Sequence, residues 1–255
     1  MKTKGKAVIF VDFDSCWFKD ESLDEILKLF PLSDKINYID KICRQGMGGN
    51  ISQAESIRLR LLHGGVPTQE NIDQYIAKNK ERVIQRISNA LREEIKKNQV
   101  YVVSGGFREV INPLLDGVLD SEFIRANPLD VIRESINTNN LDLESRDSLD
   151  QYILVKEAVI KEIMESYNDL PCIMIGDSVT DFRVYTSGAV THFLQAAWIK
   201  NRNKVCEAMR NARDRSKILQ IRSEEDFYKW FPDILDCVEN KQDIFGINPQ
   251  IQMSY

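Results

Sequence analysis

An α/β sandwich around a central parallel sheet, with a helical insert after the first strand, is the fold class predicted here, on three observations. Short apolar, β-branched runs at residues 7–11, 100–103 and 172–175 have the continuous character of strands buried on both faces. Stretches with apolar residues at helical spacing separate these runs, and parallel strands need crossovers of that kind. Each run also ends in residues suited to chemistry, and ligands in such folds sit at the carboxyl ends of the strands. Asp12, Phe13 and Asp14 follow the first run, Ser104, Gly105 and Gly106 the second, and Gly176 and Asp177 the third.

In chain order, residues 7–11 form the first core strand. From Ser22 to about Lys80 apolar positions recur at helical spacing, with Gly48, Gly49, Gly64 and Gly65 as breaks, which predicts the insert. Within it, Ser52 followed by Glu55 has the form of a capping box ahead of an apolar face of Ile57, Leu61 and Leu62. Val83, Ile84, Ile87, Leu91 and Ile95 predict a helix leading into the second strand. Ser104 to Gly106 is then expected to open another helix. Residues 153–167 read as helix before the third strand. Residues 189–194 and 218–221 read as later strands, with a charged helix over about 200–215 between them. Phe227, Trp230, Phe231, Ile234 and Leu235 mark the inner face of a final helix over 223–239, and the last fifteen or so residues are expected to trail on the surface.

A chain of 255 residues with 43% hydrophobic content can bury one substantial core and carry a smaller insert. Its formal charge of −5 argues against a nucleic-acid partner and for a small molecule. The apolar run near the N-terminus is too short for a secretory signal, and no stretch approaches a membrane span. Cys16, Cys43, Cys172, Cys206 and Cys237 are odd in number and show no paired spacing, and only two histidines could complete a zinc shell. They read as reduced thiols of a cytoplasmic protein, a monomer or homodimer. His63 and His192 belong to no motif and read as structural.

Asp12 and Asp14 lie two apart at a strand end, so extended geometry sends both carboxylates to one side of the sheet. Adjacent carboxylates repel unless a cation neutralises them, and one or two carboxylates with water and substrate phosphate are what Mg2+ accepts. Asp177 and Asp181 add two more acids at a neighbouring strand end. A phosphate dianion can approach such a cluster only with further positive charge, for which Lys156 is the natural source, with Lys161 its rival. Ser104 and the Gly105 and Gly106 amides offer neutral donors to phosphoryl oxygens.

Together, Val11 to Ser15, Val103 to Phe107, Lys156, and Gly176 to Asp181 resemble the four ordered motifs of haloacid-dehalogenase (HAD) phosphatases, nearest the phosphoserine-phosphatase-like subfamily with a helical cap. The resemblance implies a Rossmann-like three-layer core over 1–17 and 81–255 and a cap over 18–80. It implies a phosphomonoester hydrolase in which Asp12 is the nucleophile and forms an aspartyl-phosphate. Asp14 would be the acid and base, with Ser104 and Gly105 holding the phosphoryl group and Gly106 beside them. Lys156 would offset charge, Asp12, Asp177 and the Asp14 backbone carbonyl would ligate Mg2+, and Asp181 would orient the metal's water or Lys156. Glu21 and Arg60 stand where this subfamily meets the amine and carboxylate of phosphoserine.

The chain departs from the pattern at Gln53, usually apolar there, at Cys16 for threonine and at Thr180 for asparagine. The string from Gly176 to Asp181 also resembles phosphatases of methionine salvage that act on a methylthio-sugar phosphate. Phosphotransfer to an alcohol acceptor shares the same chemistry. A protein of another class, binding a partner through the insert and the basic stretch from Lys200 to Lys217, would need none of it. Plainer readings compete at single positions: Asp177 and Asp181 as favourable charges near a helix start, Glu21 likewise, and Arg58 or Arg60 on a solvated helix face.

Overall fold

In the computed structural model, the described residues are 5–29, 35–167, 169–199, 203–245 and 247, with the backbone alone at 203. Strand β1 (Val8–Val11) is followed by α1 (Ser22–Leu27), α2 (Ile36–Met47), α3 (Gln53–Gly64), α4 (Gln69–Asn79) and α5 (Gln85–Ile95). Next come β2 (Gln99–Phe107), α6 (Arg108–Leu114), β3 (Ile124–Asn127), α7 (Leu129–Asn137), α8 (Lys156–Glu165) and β4 (Cys172–Gly176). The chain then runs through α9 (Val179–Thr186), β5 (His192–Ala196), α10 (Asn203–Arg210), β6 (Ile218–Ile221) and α11 (Glu224–Glu239).

The six strands form one sheet in the order β3-β2-β1-β4-β5-β6, and every pairing is parallel. This is a Rossmann-like, doubly wound arrangement, and its order reverses between β1 and β4, where ligands are expected beyond the strand ends. Strand periodicity divides the core in two. Ile9, Val11, Val102, Ile173 and Ile175 face one layer, packed against α5, α6, α7 and α11 through residues such as Leu91, Ile111, Ile132 and Phe231. Val8, Phe10, Val103, Met174 and Phe193 face the other, against Ile160 of α8, Phe182 of α9 and Met209 of α10.

Helices α1 to α4 stack over the strand ends and share the first layer through Ile26, Leu27, Ile57, Leu61, Ile72 and Tyr75. Their entry and exit segments run side by side. Ile84 donates its N–H to the Trp17 carbonyl and Lys19 to that of Arg82, and Phe18 bridges to Val83. The turn after α2 also meets the opposite layer, where the Lys204 ammonium donates to Asn50 Oδ1 at 2.8 Å.

Several boundaries differ from the sequence reading, each for a local reason. Ser104 to Gly106 does not open a helix: β2 continues through Phe107, and α6 begins only at Arg108. Val103 and Phe107 on either side pair with β3, so this stretch spans a register irregularity between them. Helix α8 begins at Lys156, three residues later than read. Ala189 and Val190 are buried beside α9 and precede β5, which starts at His192. Strand β3 and helix α7 are absent from the sequence reading, because Arg125 and Asn127 interrupt the apolar run that would have announced a strand. The charged helix is shorter than read, and Lys200 and Arg202 lie outside the described residues. The start of the tail does not trail on the surface. Ile244 is buried, and Ile244 and Phe245 donate backbone N–H groups to the Ser216 carbonyl. Residues 246 and 248–255 lie outside the described set.

Candidate active site

Beyond the ends of β1 and β4 the structure brings the predicted carboxylates and lysine together. Asp12 follows β1 directly, and its backbone N–H still donates to the Ile175 carbonyl at 2.9 Å, which continues the strand pairing. The Lys156 ammonium, at the first residue of α8, lies 2.9 Å from Asp12 Oδ2 and 2.5 Å from Asp181 Oδ1. The other Asp181 oxygen accepts from the backbone N–H of Ser178 at 2.9 Å, and the Ser178 hydroxyl accepts from the Asp181 N–H, so the pair forms a reciprocal cap on α9. Gly176 is required by this approach, since a Cβ there would lie 2.3 Å from the Asp181 carboxyl carbon.

Asp12, Asp177 and Asp181 are all buried and each offers one carboxylate oxygen within 4.8 Å of the others. Three carboxylates against one ammonium leave a formal surplus of two negative charges away from water, an arrangement that is costly without a further cation. A hard divalent ion with an oxygen preference suits this all-carboxylate donor set.

Burial, reinforced by Asp181, pushes the Asp12 pKa up to about 6 against the opposing pull of Lys156 and Ser104. Burial works against the Lys156 charge, but Asp12 and Asp181 outweigh it and hold the ammonium above the usual lysine range. Asp14 is pushed well above the ordinary carboxylate range by burial, then by Glu21 and Asp12. The Ser22 hydroxyl donates to Asp14 Oδ2 at 2.9 Å, while Oδ1 is buried with no hydrogen-bond partner among the described residues. Cys16 stays a thiol, raised by burial and by Asp12, Asp177 and Asp181, so it offers no competing nucleophile.

A cavity of about 50 Å³ adjoins this cluster and is lined on the strand side by Asp12, Asp14, Ser104, Gly105, Gly106, Lys156, Ser178 and Thr180. Helices and loops of the insert supply Glu21, Leu23, Cys43, Gly46, Met47, Gln53, Ser56 and Arg60. Both expected substrate-side residues therefore line it. Arg60 is buried and pairs with Asp24 Oδ1 at 2.9 Å, while its Nε donates to the Ser56 carbonyl. Arg58 instead pairs with Glu55 and donates to the Leu143 carbonyl, away from the cavity. Glu21 accepts from the Ser15 hydroxyl at 2.7 Å.

Some contributors were not legible beforehand. Asn127, the last residue of β3, donates to the Gly105 carbonyl at 2.7 Å and accepts from the Leu154 N–H at 2.7 Å, tying the β2 end to the segment before Lys156. Cys43, Met47 and Ser56 are separated from the strand-end motifs in sequence, and only folding of the insert carries them to the cavity.

No family model matches the chain. It is similar to phosphoserine phosphatase of Methanocaldococcus jannaschii, with 26% identity over 230 residues covering 86% of this chain and all of that protein. A 2-hydroxy-3-keto-5-methylthiopentenyl-1-phosphate phosphatase of Bacillus thuringiensis subsp. konkukian is 28% identical over 182 residues, 69% of this chain and 77% of the relative. Among solved structures, a phosphoserine phosphohydrolase-like protein from Francisella tularensis superposes with TM-score 0.66 at 23% identity, over 88% of this chain and 98% of that one. The chain is thus similar to phosphoserine-phosphatase-like phosphatases of the HAD superfamily, in sequence to the named phosphatases and in fold to the solved structures. HAD phosphatases of this kind are phosphoric monoester hydrolases, and they generally use Mg2+. Among the described residues, no helix is long and apolar enough to cross a membrane.

Proposed function

We propose that this chain hydrolyses a small phosphomonoester through an aspartyl-phosphate on Asp12. The observation that carries this reading is the Lys156 ammonium held between Asp12 and Asp181 beside Ser104 and Gly105. An Asp12 carboxylate oxygen attacks phosphorus as the ester P–O bond breaks, and Asp14 gives its proton to the departing alcohol oxygen. Burial, with Glu21 and Asp12, raises the Asp14 pKa and so favours the protonated form that this donation needs. Asp14, now a carboxylate, takes a proton from water as that water attacks phosphorus. Orthophosphate leaves and the Asp12 carboxylate returns. Ser104 and the Gly105 amide hold the phosphoryl oxygens, with Gly106 completing the cradle.

Mg2+ would be held by Asp12, Asp177 and the Asp14 backbone carbonyl, and when bound it would offset phosphoryl charge. Asp181 suits an orienting role, because both of its oxygens are already engaged by Lys156 and Ser178.

Residues 18–80 serve as the cap on a core of 1–17 and 81–255, since the paired segments at Trp17 to Lys19 and Arg82 to Ile84 mark where the chain leaves and re-enters the core. The insert roofs the cavity, so its opening would admit the ester and its closure would exclude water during transfer.

Glu21 and Arg60 in the cavity favour an amino-acid phosphate such as phosphoserine, the substrate named for the archaeal relative. The Ser178–Thr180 hydroxyl pair, at 2.7 Å, belongs to the stretch resembling the methylthio-sugar phosphatases and supports that substrate as the second reading. Five free cysteines suit a cytoplasmic setting.

The test is orthophosphate release from a panel of metabolite phosphates with Mg2+, by wild type and Asp12→Asn. We expect the variant to lose activity by at least on the order of 10³-fold while remaining folded. Retained turnover would refute the nucleophile, and phosphate appearing on an added alcohol instead of in solution would replace hydrolysis with transfer.

A further inference from the structure

Gln53 opens α3, immediately after the Ser52 cap, and its side-chain amide lies over Gly105 at the end of β2. A Cβ built on Gly105 would lie 1.7 Å from Gln53 Nε2, so glycine at 105 is what lets the amide approach the strand end. The polar side chains around this cavity are otherwise engaged: Asp12 and Lys156 with each other, Asp14 with Ser22, Glu21 with Ser15, Arg60 with Asp24, Ser104 with the Gly106 N–H, Ser178 with Thr180, and Ser56 with the Ile42 carbonyl. Among the described residues, the Gln53 amide alone in this set has no hydrogen-bond partner. Half-buried at the cavity wall, the amide keeps its donors available to a group that enters there.

We infer that Gln53 is a phosphoryl-binding residue carried by the insert, its Nε2–H donating to a non-bridging oxygen of the bound phosphoryl group. This rests on the proposed reaction for its setting. The Gly105 peptide is pinned below by Asn127, so an oxyanion held over Gly105 meets fixed donors from the strand and Gln53 from α3. Closure of the insert then responds to the phosphoryl group, which every ester shares, as well as to the leaving group. An apolar side chain at this position would exclude water but could not sense the anion.

Titration calorimetry with inorganic phosphate and Mg2+ tests this on wild type, Gln53→Leu and the isosteric Gln53→Glu. Removing a hydrogen bond to a charged group predicts phosphate affinity weaker by about 10- to 100-fold in Gln53→Leu. Gln53→Glu should bind more weakly still, because it sets a carboxylate against the anion, whereas a purely structural role would favour the isostere over leucine. KM for phosphoserine and for p-nitrophenyl phosphate should rise by one common factor in Gln53→Leu. Equal phosphate affinity in all three proteins, or KM changes confined to one ester, would overturn the inference while leaving the reaction intact. Phosphate binding that weakens as expected, in a wild-type chain that hydrolyses no ester, would sink the reaction and leave the phosphoryl contact standing.

Discussion

The strand-end floor of the cavity and its helical roof handle buried charge differently. In the roof, Arg60 is matched one to one by Asp24, and Glu21 is held by the Ser15 hydroxyl. In the floor, the Lys156 ammonium pairs with Asp12 and Asp181, and the Asp177 carboxylate is clustered with theirs. The roof's buried guanidinium is already paired as folded. The floor carries surplus acid that a further cation would offset, in keeping with the Mg2+ that HAD phosphatases generally use.

The widest gap between the two should appear on removing Lys156. Lys156→Met leaves carboxylates facing one another without compensation, with an expected activity loss of at least ~100-fold and destabilisation of about 3–5 kcal/mol in chelator. Adding Mg2+ should recover part of that stability, read as a thermal shift larger than in wild type. If Mg2+ restores nothing, the floor does not bind the ion.

Arg60→Ala is the corresponding test of the roof. It strands Asp24 in a buried site and should cost on the order of 3 kcal/mol, but here Mg2+ should give no recovery. Burial opposes the Arg60 charge, yet Asp24 outweighs it and keeps the guanidinium firmly ionised, so the loss should be insensitive to mild alkali. A Mg2+-dependent rescue equal to that of Lys156→Met would erase the contrast.

Asn127→Ala probes how the floor is braced. Two hydrogen bonds vanish and the Leu154 N–H is left unmet, for a loss of about 1–3 kcal/mol by denaturant unfolding. Turnover should fall as well, because Gly105 and the approach to Lys156 are tied through this one amide. Normal turnover in a destabilised protein would limit Asn127 to packing.

The smallest effect lies at the far end of the sheet. His192 opens β5, where its Nε2 faces the Gln242 carbonyl at 2.9 Å and its Nδ1 the Thr191 hydroxyl at 2.8 Å. Burial lowers its pKa below the ordinary 6.5, so the native ring is neutral and the unfolded chain binds the proton first. Its contribution to stability is complete above about pH 6.5 and is lost as the pH falls. Wild type should therefore lose stability between pH 7 and 5 more steeply than His192→Gln, in melts followed by circular dichroism. Parallel slopes would remove His192 from the acid response.

The parts of the fold legible in sequence are those where one local pattern decides. Residues 7–11, 100–103 and 172–175 are apolar throughout because both faces of an inner strand are covered. The acidic and glycine-rich residues after them could be read as a site, because strand ends in a parallel sheet point one way. Strand β3 was hidden because Arg125 is exposed and Asn127 is buried for its hydrogen bonds, so neither follows the apolar pattern. Ser104 to Gly106 looked like a helix start because glycine breaks local propensity, whereas β3 pairs with Val103 and Phe107 on either side and the strand runs through.

What the sequence by itself determined is the alternation of most strands and helices, the two acid-bearing strand ends with the serine-glycine end between them in sequence, and the lysine available to them, since these follow from periodicity and charge along the chain. Only the tertiary structure decided that Lys156 lies between Asp12 and Asp181, that Asp24 already neutralises Arg60, and that Gln53 reaches across to Gly105. Those facts depend on distances between segments far apart in sequence, and such distances are set by how the layers pack.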